Sequence, residues 1–289
     1  MLSVIVTSYR SREILDACLA SLSAQPEASE IVVADCSPDD PSGWVRARYP
    51  RVRVVRSAAR TSVPALRWSA LPSTTGEIVA AVEGRSVPAR DWCAELLRTH
   101  AAHPDAVAVG GPVTLKPDAT AFDWGLYFSE FAAFAPGAAA RSLPHLSGAN
   151  LSYKRAALLA ERDLLDAGRW ETLLHERWRR EGKPFAMSAG AVEFRNGMTA
   201  ADALRMRFHY GRSYAADRCP GSTRRWLHAA GGPALPFLLT SRAVRAAVRA
   251  SLVRGVIVGL PWLLLLNAAW SAGEIAGYVL GPSSRPHIY

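Results

Sequence analysis

Apolar positions along the chain fall into short runs separated by longer amphipathic stretches. Leu2–Thr7 opens the chain as one such run, Ile31–Ala34 is a second that ends on Asp35, and Ile78–Val82 is a third that ends on Glu83. Runs of this length, bounded by turn residues, read as buried strands. Between them, Arg12–Ser23 has a helical pattern, Ser37-Pro38-Asp39-Asp40-Pro41 is a turn, and Val52–Val55 is a further strand. Ser62–Leu71 reads as a helix stopped at Thr74-Thr75-Gly76. Pro88–His103 reads as another, and Val107–Val109 as a strand turning at Gly110-Gly111-Pro112. Alternating strands and helices at this spacing predict an α/β fold with a doubly wound, mostly parallel sheet flanked by helices. Two strands that each end on a carboxylate put Asp35 and Glu83 at one edge, where such sheets bind nucleotides.

The pattern changes further on. Phe122–Pro136 is rich in aromatic residues at helical spacing, which fits a packing face or an acceptor-binding face. Ser147–Tyr153 reads as a turn entering a strand, Arg155–Gly168 and Trp170–Glu181 as helices, Val192–Phe194 as a strand, and Ala200–Arg218 as an Arg-rich helix. Beyond Pro220, Ser241–Arg254 is amphipathic, with Arg242, Arg245, Arg249 and Arg254 at near-helical steps, a pattern suited to lipid headgroups. Gly255–Gly273 then carries no charged residue, a length close to that of a bilayer span, although Pro261 and Glu274 interrupt it. A span, an interfacial hairpin and a buried core helix all fit this segment. Two domains are expected, residues 1–218 and a membrane-associated helical tail of residues 219–289.

The net charge of +9 admits nucleic acid, anionic lipid or an anionic small ligand as partners. Arginines beside apolar runs favour the membrane surface, and no compact nucleic-acid recognition motif is present, so no nucleic-acid partner is expected. Cys18, Cys36, Cys93 and Cys219 are scattered without CxxC spacing and read as reduced packing residues. Val4–Thr7 is too short for a secretory signal and runs straight into polar Ser8-Tyr9-Arg10. The expected location is the cytoplasmic face of the inner (cell) membrane, with the arginines ahead of Gly255 holding that end inside. No Gly-x-Gly-x-x-Gly or Walker lysine motif is present, which argues against dinucleotide redox enzymes and ATPases.

Four fragments in order carry a family resemblance: Ser3–Arg10, Val33-Ala34-Asp35-Cys36-Ser37, Thr75–Ala80 and Val87–Trp92. They resemble the landmarks of family 2 glycosyltransferases with the GT-A fold, over most of residues 1–215. The likeness extends to a bacterial branch in which Ser-Val-Pro-x-Leu-Arg precedes the third strand, here Ser62–Arg67.

The resemblance implies a set of roles. Thr7, Tyr9 and Arg60 belong to the nucleotide pocket, and Asp35 stands where the family's acid meets the base, usually uracil. An ionised carboxylate can accept the imide N–H, and Asp is equally at home as a turn or cap residue. The family's Asp-x-Asp metal motif falls on Glu83-Gly84-Arg85. Either Glu83 holds a divalent metal (Mg or Mn), with water and the phosphates supplying the other ligands, or Arg85 offsets the diphosphate charge itself. Glu171 matches the base of inverting transfer, which removes the acceptor hydroxyl proton, and a helix N-terminus also favours an acid there. Gly148, Asn150 and Trp170 are expected at the donor and acceptor pocket. Arg205–Arg212 falls where relatives carry a Gln-x-x-Arg-Trp helix.

The function implied is inverting transfer of a sugar from a nucleotide diphosphate sugar, UDP-linked by preference, to a hydroxyl of a lipid or lipid-linked acceptor. Two rivals remain at this stage: a membrane-tethered nucleotide-sugar binding protein without catalysis, and a GT-A-like nucleotidyltransferase.

Overall fold

The structure, a computed structural model, describes residues 1–57, 61–137, 145–167, 171–218 and 223–281. Its first elements alternate: β1 (Leu2–Ser8), α1 (Arg12–Ser23), β2 (Ala28–Asp35), α2 (Ser42–Arg48), β3 (Val52–Arg56), α3 (Val63–Ser69) and β4 (Ile78–Glu83). There follow β5 (Ser86–Pro88), α4 (Trp92–Ala102), β6 (Ala108–Gly110), β7 (Val113–Leu115) and α5 (Ala121–Phe131). Next come β8 (Asn150–Lys154), α6 (Arg155–Leu159), α7 (Arg162–Asp166), α8 (Glu171–Arg180), β9 (Phe185–Met187) and β10 (Val192–Phe194). The last helices are α9 (Ala200–Arg218), α10 (Arg224–Gly231), α11 (Leu235–Arg249) and α12 (Val253–Leu280).

The central sheet runs in the order β3-β2-β1-β4-β8-β6-β9, and β5-β10-β7 form a smaller one. Strands β3, β2, β1 and β4 are mutually parallel, whereas β8 is antiparallel to both its neighbours. Every residue of β1 is buried, as expected of a central strand covered on both faces, and this is why it reads as an unbroken apolar run. Register then sets the site. Ser8 pairs with Asp35 and Thr7 with Glu83, so the three strand ends align. Asn150 pairs with Val82, so the turn preceding β8 lies at that same edge.

Packing divides the chain into two compact units, Met1–Thr114 with Ala140–Gly197, and Leu115–Ala139 with Met198–Tyr289. The first is the α/β unit. The second is helical: α12 packs against α5, α9, α10 and α11. Helix α9, which the sequence pattern groups with residues 1–218, therefore packs with the tail, as does the aromatic helix α5. Glycines make that packing possible. A Cβ at Gly211 would lie 2.2 Å from the Trp270 carbonyl oxygen, and one at Gly273 1.9 Å from that of Phe208.

Several local expectations are corrected. The helix expected from Pro88 begins at Trp92, because Ser86–Pro88 is claimed by pairing with β10. The single helix expected from Arg155 breaks in two where Glu161 turns inward to accept hydrogen bonds from Trp178 Nε1 at 2.7 Å and Arg177 at 2.8 Å. Conversely, Glu274 does not end the apolar segment. Its carboxylate is buried, accepting from Trp270 Nε1 (2.5 Å) and Tyr278 Oη (3.2 Å), so α12 runs on to Leu280.

Candidate active site

The loop after β1 is built around a conformational outlier. Arg10 has φ of 61°, the left-handed region that non-glycine residues seldom adopt. It is held there by its N–H donating to Ser37 Oγ (2.7 Å), with its guanidinium 5.1 Å above the Tyr9 ring. Strain of this kind persists where surrounding contacts over-determine it and clusters at ligand sites. Thr7 is buried, and its carbonyl accepts the Gly84 N–H at 2.7 Å, joining the exits of β1 and β4.

Asp35 is wholly buried. Its Oδ1 accepts the Ser37 N–H at 2.9 Å, its Oδ2 accepts the Ser37 hydroxyl at 2.7 Å, and Arg56 pairs with Oδ1. Arg56 also donates to the Ser37 carbonyl at 2.8 Å. The carboxylate expected to face a base is thus covered by Arg56 and Ser37, and three of its roughly four acceptor positions are in use.

Glu83 and Arg85 face each other: Arg85 Nε donates to Glu83 Oε2 at 2.7 Å, and the guanidinium lies 4.9 Å over the Phe194 ring. Both residues are buried. A Cβ at Gly84 would sit 3.0 Å from the Thr7 carbonyl oxygen, a contact the neighbouring backbone could accept only by giving way slightly.

On the other side of the same edge, Ser147-Gly148-Ala149-Asn150 forms a turn closed by the Asn150 N–H to Ser147 carbonyl bond (3.0 Å). Asn150 is fully buried, accepts from Trp92 Nε1 (2.8 Å), and donates to the carbonyls of Pro112 and Gly190 (2.9 Å each). Its amide makes three hydrogen bonds inside the fold and braces the turn. Gly148 is part-exposed, and its carbonyl accepts from Arg67 Nη2 at 2.9 Å. Arg67 also pairs through Nη1 with Oε1 of Glu171, the first residue of α8. Arg60 and Trp170 lie outside the described residues.

Helix α8 is seated from below by His175, one turn after Glu171. Leu146 N–H donates to His175 Nδ1 at 3.3 Å, which leaves the ring proton on Nε2, 2.9 Å from Tyr153 Oη on β8. Burial, reinforced by His145 and Arg67, pushes the imidazole down to about 3. It is a neutral strut that fixes α8, and with it Glu171, to the sheet. The buried thiols are equally inert, since desolvation raises Cys18 and Cys93 to about 12.

The model of the family "Glycosyl transferase family 2" matches residues 3–159, more than half of the chain. The chain belongs to glycosyl transferase family 2. Among solved structures, this family 2 enzyme is similar to a mannosyltransferase from Pyrobaculum calidifontis in complex with GDP-Man and Mn2+. The TM-score is 0.60 at 20% identity, over 96% of this chain and 87% of that one. It is also similar to glucosyl-3-phosphoglycerate synthase from Mycobacterium tuberculosis in complex with phosphoglyceric acid (TM-score 0.50, 17% identity, 73% and 78% of the two chains). No curated protein matches the chain by sequence. The fold of this glycosyltransferase is GT-A.

The residues at the metal position do not form a cation cage. Among the described residues no group of three or more His, Cys, Asp or Glu side chains could hold a metal ion. Glu83 has one oxygen committed to Arg85, and Gly84 has no side chain to offer. A hard divalent cation takes six or more oxygens, and this chain would supply at most one carboxylate. A divalent cation held here by Glu83 would take its remaining oxygens from water and the diphosphate. Within Arg205–Arg212, Arg207 is buried in the helical unit, 4.4 Å over Trp270, whereas Arg205 is exposed.

Sequence reasoning missed Arg67 and Arg56. Each occupies a position whose partner lies far off in the chain, so no local pattern marks it. The Ser62–Arg67 segment was the one available signal for Arg67, as a branch marker without a role.

Proposed function

We propose that this family 2 glycosyltransferase transfers a sugar, with inversion, from a UDP-sugar to a hydroxyl of a lipid or lipid-linked acceptor at the cytoplasmic face of the membrane. The observation that carries the reading is the alignment of Asp35, Thr7 and Glu83 at the carboxyl edge of three parallel strands, with the Gly148 turn and Glu171 linked to that edge. The pocket end of β1 and β2 takes the nucleotide, with Asp35 accepting the base N–H once Arg56 yields. Glu171 is the base that removes the acceptor proton as oxygen attacks the anomeric carbon. Direct displacement needs one carboxylate, since no sugar is attached to the enzyme.

Arg85 supports a reduced dependence on divalent cation. A guanidinium is always charged and can donate two parallel hydrogen bonds to a phosphate. GDP is the second nucleotide to weigh, because a guanine also presents an N–H to a carboxylate and the mannosyltransferase relative was solved with GDP-Man.

The helical unit favours a lipid partner. Trp226, Leu227, Phe237, Leu238, Ile257 and Val258 are exposed, alongside exposed Arg242, Arg245, Arg249 and Arg254. Helix α12 is long and apolar enough to cross a membrane, but it packs along α9, whose Asp202 and Arg205 are exposed. Crossing would carry those charges toward hydrocarbon. The reading is therefore a unit lying on the surface, with its apolar face in the headgroup region.

Titration of UDP into the full-length protein, in manganese and again in EDTA, tests the nucleotide half, with GDP in parallel. Glu171→Gln tests the chemistry: it should bind nucleotide normally and lose turnover by about 10²–10⁴-fold. Unchanged turnover removes Glu171 as the base. Nucleotide binding with no turnover on any lipid extract favours the non-catalytic binding protein.

A further inference from the structure

We propose that Arg67 is a positioning residue that presents one chosen oxygen of Glu171 to the acceptor, an inference that rests on the reading of Glu171 as the base. Arg67 is 1% exposed, and its two terminal nitrogens go to different elements: Nη1 to Glu171 Oε1 on α8, Nη2 to the Gly148 carbonyl at 2.9 Å. One planar guanidinium thereby sets the base relative to the turn at the sheet edge. With Oε1 engaged, Oε2 is the oxygen left to take a proton. It lies 3.8 Å from where a Cβ of Gly148 would stand, on the side where glycine leaves room.

The local sequence builds this clamp. Ser62 caps α3, accepting the Ala65 N–H at 3.2 Å, and Pro64 sits in the first turn, where its missing N–H costs nothing. Val63 and Leu66 enter the core, and Arg67 follows on the same short helix. Stability alone accounts poorly for the arrangement. Burying an ion pair is seldom better than a well-packed apolar pair, and Arg67 Nε is buried without a hydrogen-bond partner among the described residues. Lysine could supply the charge but not the two-directional fork.

The test uses full-length Arg67→Met, Arg67→Lys, Glu171→Gln and the Arg67→Met/Glu171→Gln pair. The readout is nucleotide release from UDP-glucose, UDP-N-acetylglucosamine and GDP-mannose in the presence of a total lipid extract. Arg67→Met should lower kcat about 100-fold, the scale of a small misplacement of a reacting group, with donor KM within about threefold. Arg67→Lys should recover part of kcat. The double variant should be no slower than Glu171→Gln, because residues acting as one unit are not additive.

Should Arg67→Met fold poorly, the double variant, a neutral pair, and Arg67→Lys still decide the matter. A double variant much slower than Glu171→Gln, or an Arg67→Lys enzyme with wild-type kcat but a raised donor KM, overturns the proposal and makes Arg67 a donor-binding cation. Full turnover by Glu171→Gln instead overturns the base assignment on which the clamp depends, a result read independently of the Arg67 variants.

Discussion

Arg85 donates its Nε–H to Glu83 Oε2 at 2.7 Å, two residues away on the turn leaving β4. The carboxylate that aligns with the family's metal position is therefore matched to a cation of the chain's own. Nucleotide binding should persist in EDTA, weakened by no more than about tenfold relative to manganese. Arg85→Ala should then make binding strictly metal-dependent, as Glu83 is released. Binding abolished by EDTA in the wild type, with Arg85→Ala indistinguishable from it, would falsify this account.

Asp35 offers a second test, since Ser37 and Arg56 already occupy it. Asp35→Asn preserves shape and removes the charge. Hydrogen bonds to charged groups contribute about 1.5–3 kcal/mol, so nucleotide affinity should fall at least about tenfold. Arg56→Met uncovers the carboxylate and should lower stability while nucleotide binding survives. Calorimetry beside thermal melts separates the two, and equal affinity in Asp35→Asn would remove it from the pocket.

Gly148→Ala probes the space in front of Glu171. The added methyl would lie 3.5 Å from Arg67 Nη1 and 3.8 Å from Glu171 Oε2, ordinary contact distances. Folding should be nearly unaffected, within about 0.5 kcal/mol. Turnover should fall about tenfold or more as the methyl displaces the attacking hydroxyl, with donor affinity unchanged. Wild-type kcat would place the acceptor elsewhere.

Two buried histidines set the acid limit of stability. His175 is pushed down to about 3 and His100 to about 4, chiefly by burial, against an ordinary value of 6.5. Between the folded and unfolded values the unfolded chain binds more protons. Stability is therefore fully present above about pH 6.5 and lost as pH falls toward 4, at up to about 1.4 kcal/mol per pH unit for each histidine. His100 bonds Ser152 Oγ through Nε2 at 2.9 Å, and His100→Gln can keep such a bond. It should flatten the pH dependence of chemical denaturation in this window. A wild-type curve already flat from pH 6.5 to 4 contradicts the assignment.

Vesicle flotation examines the helical unit. The full-length protein should float with phosphatidylglycerol vesicles and weakly with phosphatidylcholine alone, and salt should release it, because surface charge attraction is screened within a Debye length. Leu227→Glu with Phe237→Glu, both at exposed positions, should abolish flotation without altering the melting temperature. Retention by the double variant would shift attention to α12 alone.

Much of this protein was determined by local sequence. Parallel strands buried on both faces must be apolar throughout, so β1, β2 and β4 were legible as runs, and Asp35 and Glu83 as their terminal acids. Helix α1 followed from its helical pattern and α9 from its Arg-rich helical composition, close to the bounds observed. Tertiary structure decided what depends on distant partners. Short β5, β7 and β9 exist only through pairing, too brief to leave a period of their own. Asn150 proved a buried cross-link because Trp92, Pro112 and Gly190 converge on it. Arg67 met Glu171 across a chain separation no propensity can read. Hydrophobic period encodes which face is buried, whereas the partner of a buried charge is chosen by the packed fold, where an unmatched charge costs most.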